Sequence, residues 1–125
     1  MKENKMGLTY VDVEIRAIDQ NSPLQTLSFM VDTGAVDCLV SASVLKKLGV
    51  KPIKILEYEM ADGSLHKYPV GYLNIRFMEE ETIVQVVFGP EDCECLLGVV
   101  ALENTGYGVD PITKTLKKMH ARPLK

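Results

Sequence analysis

The feature that most constrains the fold is a two-residue alternation of apolar and polar side chains, repeated in short stretches along the chain. Residues 10–17 alternate in this way, and residues 73–77 repeat the pattern. An alternation of period two indicates strands with one buried face. Turn-forming residues separate the stretches, notably at 19–23 and at Asp62-Gly63, the sharpest hairpin signal in the chain. Seven or more short strands with one short helix predict an all-β fold, a closed or nearly closed antiparallel β-barrel.

The helix is predicted to begin at Ser41 or Ser43 and to end at Leu48, because Gly49 follows it. A helical turn or two is also compatible with residues 99–104. We expect a bend at Gly71, between two strands, and a solvent-exposed turn at residues 79–81.

Length and composition predict one domain over residues 1–125, with a core over about 8–117 and a loosely ordered basic tail over 118–125. The net charge of -3 gives no electrostatic support for nucleic acid as a partner. No apolar run approaches the roughly 20 residues of a membrane span, so we expect no membrane partner. No apolar signal core follows the polar N-terminus, and three cysteines are an odd number, so we expect a reducing, cytoplasmic location.

One stretch, Phe29 to Ala35, carries an acid at the end of an apolar strand. Stripping water from a carboxylate is costly unless hydrogen bonds replace the lost contacts. Thr33 offers a hydroxyl, and Gly34 permits a turn that brings amide N–H groups toward Asp32. The stretch therefore predicts one carboxyl group held in a defined place.

Residues 31–35 after this strand resemble the active-site turn of retropepsin-like aspartic peptidases, the retroviral type of clan AA. Three further segments follow in the order of that family. The hairpin at Asp62-Gly63 stands where the family has its flap, Phe88-Gly89-Pro90 follows, and Cys95-Leu96-Leu97-Gly98 resembles the segment that packs behind the catalytic turn. The ending 109–113 resembles single-domain prokaryotic members. A lone Asp-Thr-Gly is a weak signal, but four ordered matches are much stronger.

The resemblance implies a role for each matching residue. Asp32 is the catalytic carboxyl, Thr33 locks two turns together across a dimer axis, and Gly34 lets backbone approach the site. The substrate, an extended peptide, is expected to contact the cleft border and the flap, that is Ala35, Val36, Asp37, Met60, Ala61, Asp62, Gly63, Ser64 and Leu65. No cofactor is implied, because two carboxyls activate water without a metal.

The number of Asp-Thr-Gly motifs in the chain adds a homodimer to this expectation. Peptide hydrolysis by carboxyls needs one as base and one as acid, and a close pair shares a proton. The chain has one Asp-Thr-Gly, and in Asn104-Thr105-Gly106 an amide replaces the acid. An aspartic endopeptidase built from this chain must therefore be a homodimer with two copies of Asp32 at its axis.

Two departures keep a second hypothesis open. Retroviral members carry an acid after the alanine and an arginine after the glycine, where this chain has Val36 and Val99. The alternative is a non-catalytic module of the same fold that binds peptide or assembles. A metal site is not expected, because Cys93 and Cys95 lack further ligands for the four that zinc requires. Both histidines, His66 and His120, are expected at the surface.

Overall fold

The computed structural model describes residues 8–19 and 21–119. Within these ranges the chain forms nine strands and two short helices: β1 (Tyr10–Arg16), β2 (Gln25–Val31), β3 (Cys38–Ser41), α1 (Ala42–Lys47), β4 (Lys54–Glu59), β5 (Leu65–Phe77), β6 (Glu80–Gly89), β7 (Leu96–Leu97), α2 (Val99–Thr105), β8 (Tyr107–Val109) and β9 (Leu116–Lys118). No helix of this part is long and apolar enough to cross a membrane. The expectations for His120 and for the tail beyond residue 119 lie outside the described residues.

The strands form a ring, which confirms the predicted all-β barrel. In the described part of the chain, the order β1-β2-β7-β3-β6-β5 closes through a further pairing of β5 with β1, while β4 extends the sheet beyond β5. Most pairings are antiparallel, but β2–β7 and β3–β6 are parallel. The short β7 lies between β2 and β3, and no local sequence signal specifies this position.

The alternation seen in the sequence places the core. Val11, Val13 and Ile15 of β1 are buried, and Phe29 of β2 packs in the same cluster. Fully burying an aliphatic or aromatic side chain of this kind contributes about 1.5–3 kcal/mol to folding. All side chains of this buried cluster belong to one chain.

Both helices lie where the sequence predicts or allows helical structure. Helix α1 begins after Ser41 and is followed by Gly49 at φ +84°, as expected. Helix α2 spans seven residues, about two turns, where the sequence is compatible with a helical turn or two. Valines have modest helix propensity, and packing stabilises α2 instead, because Ala101, Leu102 and Thr105 are buried.

Strand β5 continues through Gly71, where the sequence predicted a bend. A Cβ atom at Gly71 would lie 2.6 Å from the Lys51 carbonyl oxygen, so the glycine permits a close approach of backbone. The turn that follows β5 is formed by Met78 and Glu79, both at positive φ, and β6 already begins at Glu80.

The last two strands pack against the barrel of their own chain. Tyr107 lies against Phe77 with ring centroids 6.2 Å apart, and Leu116 is buried. Lys118 Nζ lies 3.1 Å from Glu80 Oε2, at the start of β6. Lys118, predicted to begin the loose tail, is thus the last residue of β9.

Candidate active site

The loop after β2 holds the Asp32 carboxyl at the surface of the barrel. The Asp32 N–H donates to the Leu97 carbonyl (3.0 Å), which ties the residue to β7. The Gly34 N–H donates to Asp32 Oδ1 (3.0 Å), and the Ala35 N–H donates to the Asp32 carbonyl (3.1 Å). Asp32 is partly exposed, and its Oδ2 accepts no hydrogen bond from a described residue. The carboxyl is thus oriented through one oxygen and open through the other.

Helix α2 supports this loop from behind. The Val99 N–H donates to the Ala35 carbonyl (2.8 Å), and the Val100 N–H donates to the Val36 carbonyl (3.2 Å). A Cβ atom at Gly98 would lie 2.5 Å from the Asp37 carbonyl oxygen and 2.7 Å from that of Val36. Only glycine fits here without moving backbone. The glycine of the Cys95–Gly98 segment therefore lets the first turn of α2 reach the loop.

Thr33 and Gly34 lie on the outer side of the loop. Both are exposed, and the Thr33 hydroxyl makes no hydrogen bond to any described residue. A Cβ atom at Gly34 would lie 3.3 Å from Asp32 Oδ1, so a larger residue would press on the carboxyl. This side of the loop presents the acid and the hydroxyl together to solvent.

The β4–β5 hairpin has the tight turn that its sequence predicts. Gly63 has φ +87°, and the Met60 N–H donates to the Ser64 carbonyl (2.8 Å). Asp62 Oδ1 accepts from the Ser64 hydroxyl (2.6 Å) and from the Ser64 N–H (2.9 Å). These bonds from the Ser64 hydroxyl and then its N–H lower the pKa of Asp62. The hairpin tip is thus internally fixed.

A cleft of about 750 Å³ lies between the loop and the hairpin. Ligand-binding clefts commonly have about 300–1,000 Å³. Of the residues predicted for the site, those that line it are Asp32, Gly34, Ala35, Val36, Asp37, Met60 and Ala61. The others lie outside the lining, namely Thr33, Asp62, Gly63, Ser64 and Leu65.

The cleft is also lined by residues outside the set predicted for the site. They are Leu39, Glu57, Tyr58, Glu59, Tyr68, Val87, Pro90, Cys93 and Leu96. Pro90 and Leu96 belong to segments noted in the sequence, so their place in the cleft could have been predicted. The residues of β4 could not, because its exposed pattern does not show which face meets the barrel.

Asp37 forms the most connected polar group in the cleft. Tyr58 Oη donates to Asp37 Oδ2 (2.7 Å), and Gln85 Nε2 donates to the same oxygen (3.0 Å). Burial, followed by the hydrogen bond to Asp37 and the charge of that carboxylate, raises the pKa of Tyr58. The phenol is therefore neutral at neutral pH, where it acts as a hydrogen-bond donor to Asp37.

The three cysteines are thiols in environments that disfavour the thiolate. Burial raises the pKa of Cys38 to about 11 and that of Cys95 to about 11, and burial also raises the pKa of Cys93. Because the thiolate is the reactive form, none of them is set up as a nucleophile. The described residues contain no group of three or more His, Cys, Asp or Glu side chains that could hold a metal ion.

A family model described as "gag-polyprotein putative aspartyl protease" matches residues 21–104, which is more than half of the chain. No curated protein matches the sequence. A retropepsin-like aspartic protease from Rickettsia conorii is similar in structure, with 26% identity and a TM-score of 0.60, covering 86% of this chain and 80% of that one.

Two viral enzymes share the fold at lower identity. The EIAV protease, solved with an inhibitor, has 15% identity and a TM-score of 0.60, covering 85% of this chain and 95% of that one. The protease of simian foamy virus (mac) has 20% identity and a TM-score of 0.54, covering 75% of this chain and 91% of that one.

Proposed function

The chain belongs to the gag-polyprotein aspartyl protease family and is an aspartic peptidase, and from this premise we propose that it is a homodimeric endopeptidase. In this proposal two Asp32 carboxyls meet at the two-fold axis and cleave an extended peptide. The observation that carries it is the open Asp32 oxygen beside the exposed Thr33, in a chain with one Asp-Thr-Gly. A site that needs two carboxyls is incomplete in one protomer.

The chemistry follows from two carboxyls that share one proton. The ionised carboxyl takes a proton from a water molecule, which attacks the scissile carbonyl carbon, while the protonated carboxyl donates to the carbonyl oxygen. Return of a proton to the amide nitrogen then lets the C–N bond break. In each protomer the Gly34 N–H, bonded to Oδ1, orients the carboxyl so that Oδ2 faces the reaction.

The loop geometry supports pairing through its outer side. Asp32 and Thr33 are presented to solvent together, while β7 and α2 hold the loop from within. A two-fold axis beside this loop would bring the two carboxyls together and let each Thr33 hydroxyl bond to the opposite loop.

The open edge of β4 supports an extended peptide as the substrate. In the described sheet β4 pairs with β5 alone, and its residues 57–59 line the cleft. A peptide strand can add to such an edge through main-chain hydrogen bonds, with pockets receiving alternate side chains. Val36, Leu39 and Leu96 would give apolar pockets close to the scissile bond.

The first test is digestion of a peptide library by the wild type, by Asp32→Asn and by a matched control, Asp19→Asn. Loss of the general acid and base is expected to lower kcat by roughly 10²–10⁴-fold in Asp32→Asn. Asp19 is exposed outside the cleft and bonds the Asn21 N–H, a contact that asparagine retains, so its activity should be unchanged.

Mixing experiments test the dimer. If each site needs two Asp32 carboxyls, an equal mixture of wild type and Asp32→Asn at constant total concentration retains about one quarter of the activity, as random pairing predicts. Retention of one half, as expected if each protomer acts through its own Asp32, or of three quarters, as expected if one Asp32 is enough in a shared site, would refute the shared dyad. Peptide binding without cleavage by the wild type would favour the non-catalytic module.

A further inference from the structure

One carboxylate oxygen connects three separate elements around the cleft. Asp37 lies between the Asp32 loop and β3, Tyr58 lies on β4 of the hairpin, and Gln85 lies on β6. Both Tyr58 Oη and Gln85 Nε2 donate to Asp37 Oδ2, over 2.7 Å and 3.0 Å. The hairpin, the loop and the barrel wall therefore meet at one atom.

The two hydrogen bonds to Asp37 are stronger than bonds between neutral groups. The acceptor carries a full charge, and a phenol that donates to a carboxylate over so short a distance forms a charge-assisted bond. No Lys or Arg of the described residues forms an ion pair with Asp37. Two neutral donors therefore stabilise a partly buried charge, and removing one leaves that charge poorly solvated.

Apart from its backbone pairing with β5, β4 has few contacts that hold it over the cleft. Ile55 of β4 is 66% exposed and Leu65, at the start of β5, is 61% exposed. An isolated two-stranded hairpin is marginally stable in water. In the described part of the chain, the bond from Tyr58 is the one side-chain hydrogen bond that β4 makes. The Tyr58 ring also contacts Tyr68, with centroids 6.3 Å apart.

We propose that the Tyr58–Asp37 bond is a latch that holds the β4–β5 hairpin over the cleft, which makes Tyr58 a positioning residue for peptide binding. The latch deepens the proposed endopeptidase function and rests on it for its effect on substrate. With the latch closed, Met60 and Ala61 line the cleft. When the Tyr58–Asp37 bond is broken, the hairpin is free to move away from the cleft. Part of the binding free energy of the substrate is then used to restore the closed form.

The test uses Tyr58→Phe, Asp37→Ala and the double variant, with Tyr72→Phe as control. Tyr72 is on β5, outside the cleft, and its hydroxyl makes no hydrogen bond to a described residue. Tyr58→Phe keeps the ring and is expected to raise KM about tenfold, which corresponds to about 1.4 kcal/mol, with kcat changed less than about twofold. In the Asp37→Ala background the same substitution should change KM less than about twofold.

A second measurement does not depend on catalysis. Amide hydrogen exchange in β4 is expected to become roughly tenfold faster in Tyr58→Phe, while exchange in β1 and β2 stays unchanged. Tyr72→Phe should alter neither KM nor exchange. This measurement shows whether the loss of one hydroxyl loosens β4 without loosening the rest of the barrel.

Each result tests either the latch or the proposed endopeptidase function. Unchanged exchange in β4, or effects of Tyr58→Phe and Asp37→Ala on KM that simply add, would overturn the latch. Faster exchange with an unchanged KM would show a structural bond that does not position substrate. If the wild type cleaves no peptide, the proposed function fails, and the latch is judged by exchange alone.

Discussion

Gly98 is the position where the smallest change should have a large effect. In Gly98→Ala the new methyl group would lie 2.5 Å from the Asp37 carbonyl oxygen and 2.7 Å from that of Val36. Both neighbours are backbone atoms, so no side-chain rotation relieves the overlap. The first turn of α2 must move away from the Asp32 loop, or the loop must move away from α2.

The cost can be worked from two contributions. Forcing a methyl group into a closely packed site typically costs about 1–3 kcal/mol. Separation of α2 from the loop also weakens the Val99–Ala35 and Val100–Val36 backbone hydrogen bonds, each with a net contribution of about 0.5–1.5 kcal/mol. The free energy of unfolding should therefore fall by about 2–6 kcal/mol, a large part of the 5–15 kcal/mol that is typical of a domain.

Urea-induced unfolding followed by circular dichroism measures this change, and the chain contains no tryptophan for a fluorescence assay. All variants must be compared at one protein concentration, because pairing of protomers would add to apparent stability. Gly108→Ala is the matched control. Its methyl group would meet Met119 Sδ at 2.7 Å, the end of a flexible side chain that can turn away, so the expected cost is below about 1 kcal/mol. Equal stability of the two variants would refute the requirement for backbone approach at Gly98.

Two further predictions concern titration. The carboxyl of Asp62 should titrate below its ordinary pKa of 3.8 in a carbon-detected NMR experiment, and Ser64→Ala should move it back toward that value, since the Ser64 hydroxyl is the largest cause of the shift. Because the pKa of Asp62 is lower in the folded than in the unfolded chain, its stabilising contribution is present above the unfolded pKa and is lost as the pH falls through the folded pKa. A free energy of unfolding that rises on acidification through this range would contradict the prediction. Cys38, buried and with a pKa raised to about 11, should resist a thiol reagent at pH 8 in the folded protein and react once urea unfolds it. Rapid labelling of Cys38 without unfolding would show that β3 is not packed as described.

Local signals in the sequence predict much of this fold. The period-two alternation over residues 10–17 predicts β1 with its buried face, and Asp62-Gly63 predicts the hairpin tip. Both depend on neighbours within a few residues, so sequence suffices. The Asp32 turn is predicted by an equally local signal, a strand that runs into Asp-Thr-Gly.

What the sequence did not predict depends on contacts between distant segments. The bond between Asp37 and Tyr58 joins residues 21 positions apart, and the Gln85 bond spans 48. A glycine within a strand indicates either a bend or a close approach of backbone, and at Gly71 only the position of the distant Lys51 carbonyl shows that backbone approaches closely. Helix α2 is likewise stabilised by the barrel against which it packs rather than by its own propensities.

The ring of strands that closes within one chain separates folding from activity. One chain completes its own barrel and core, and β8 and β9 pack against that same barrel. On the proposed pairing, newly made chains can therefore fold and accumulate while still inactive, since the second carboxyl arrives only with a partner. Well below the dimer dissociation constant, activity then rises with the square of protein concentration. The amount of protein in one place thereby becomes a control on proteolysis that needs no inhibitor and no cleavage of a precursor.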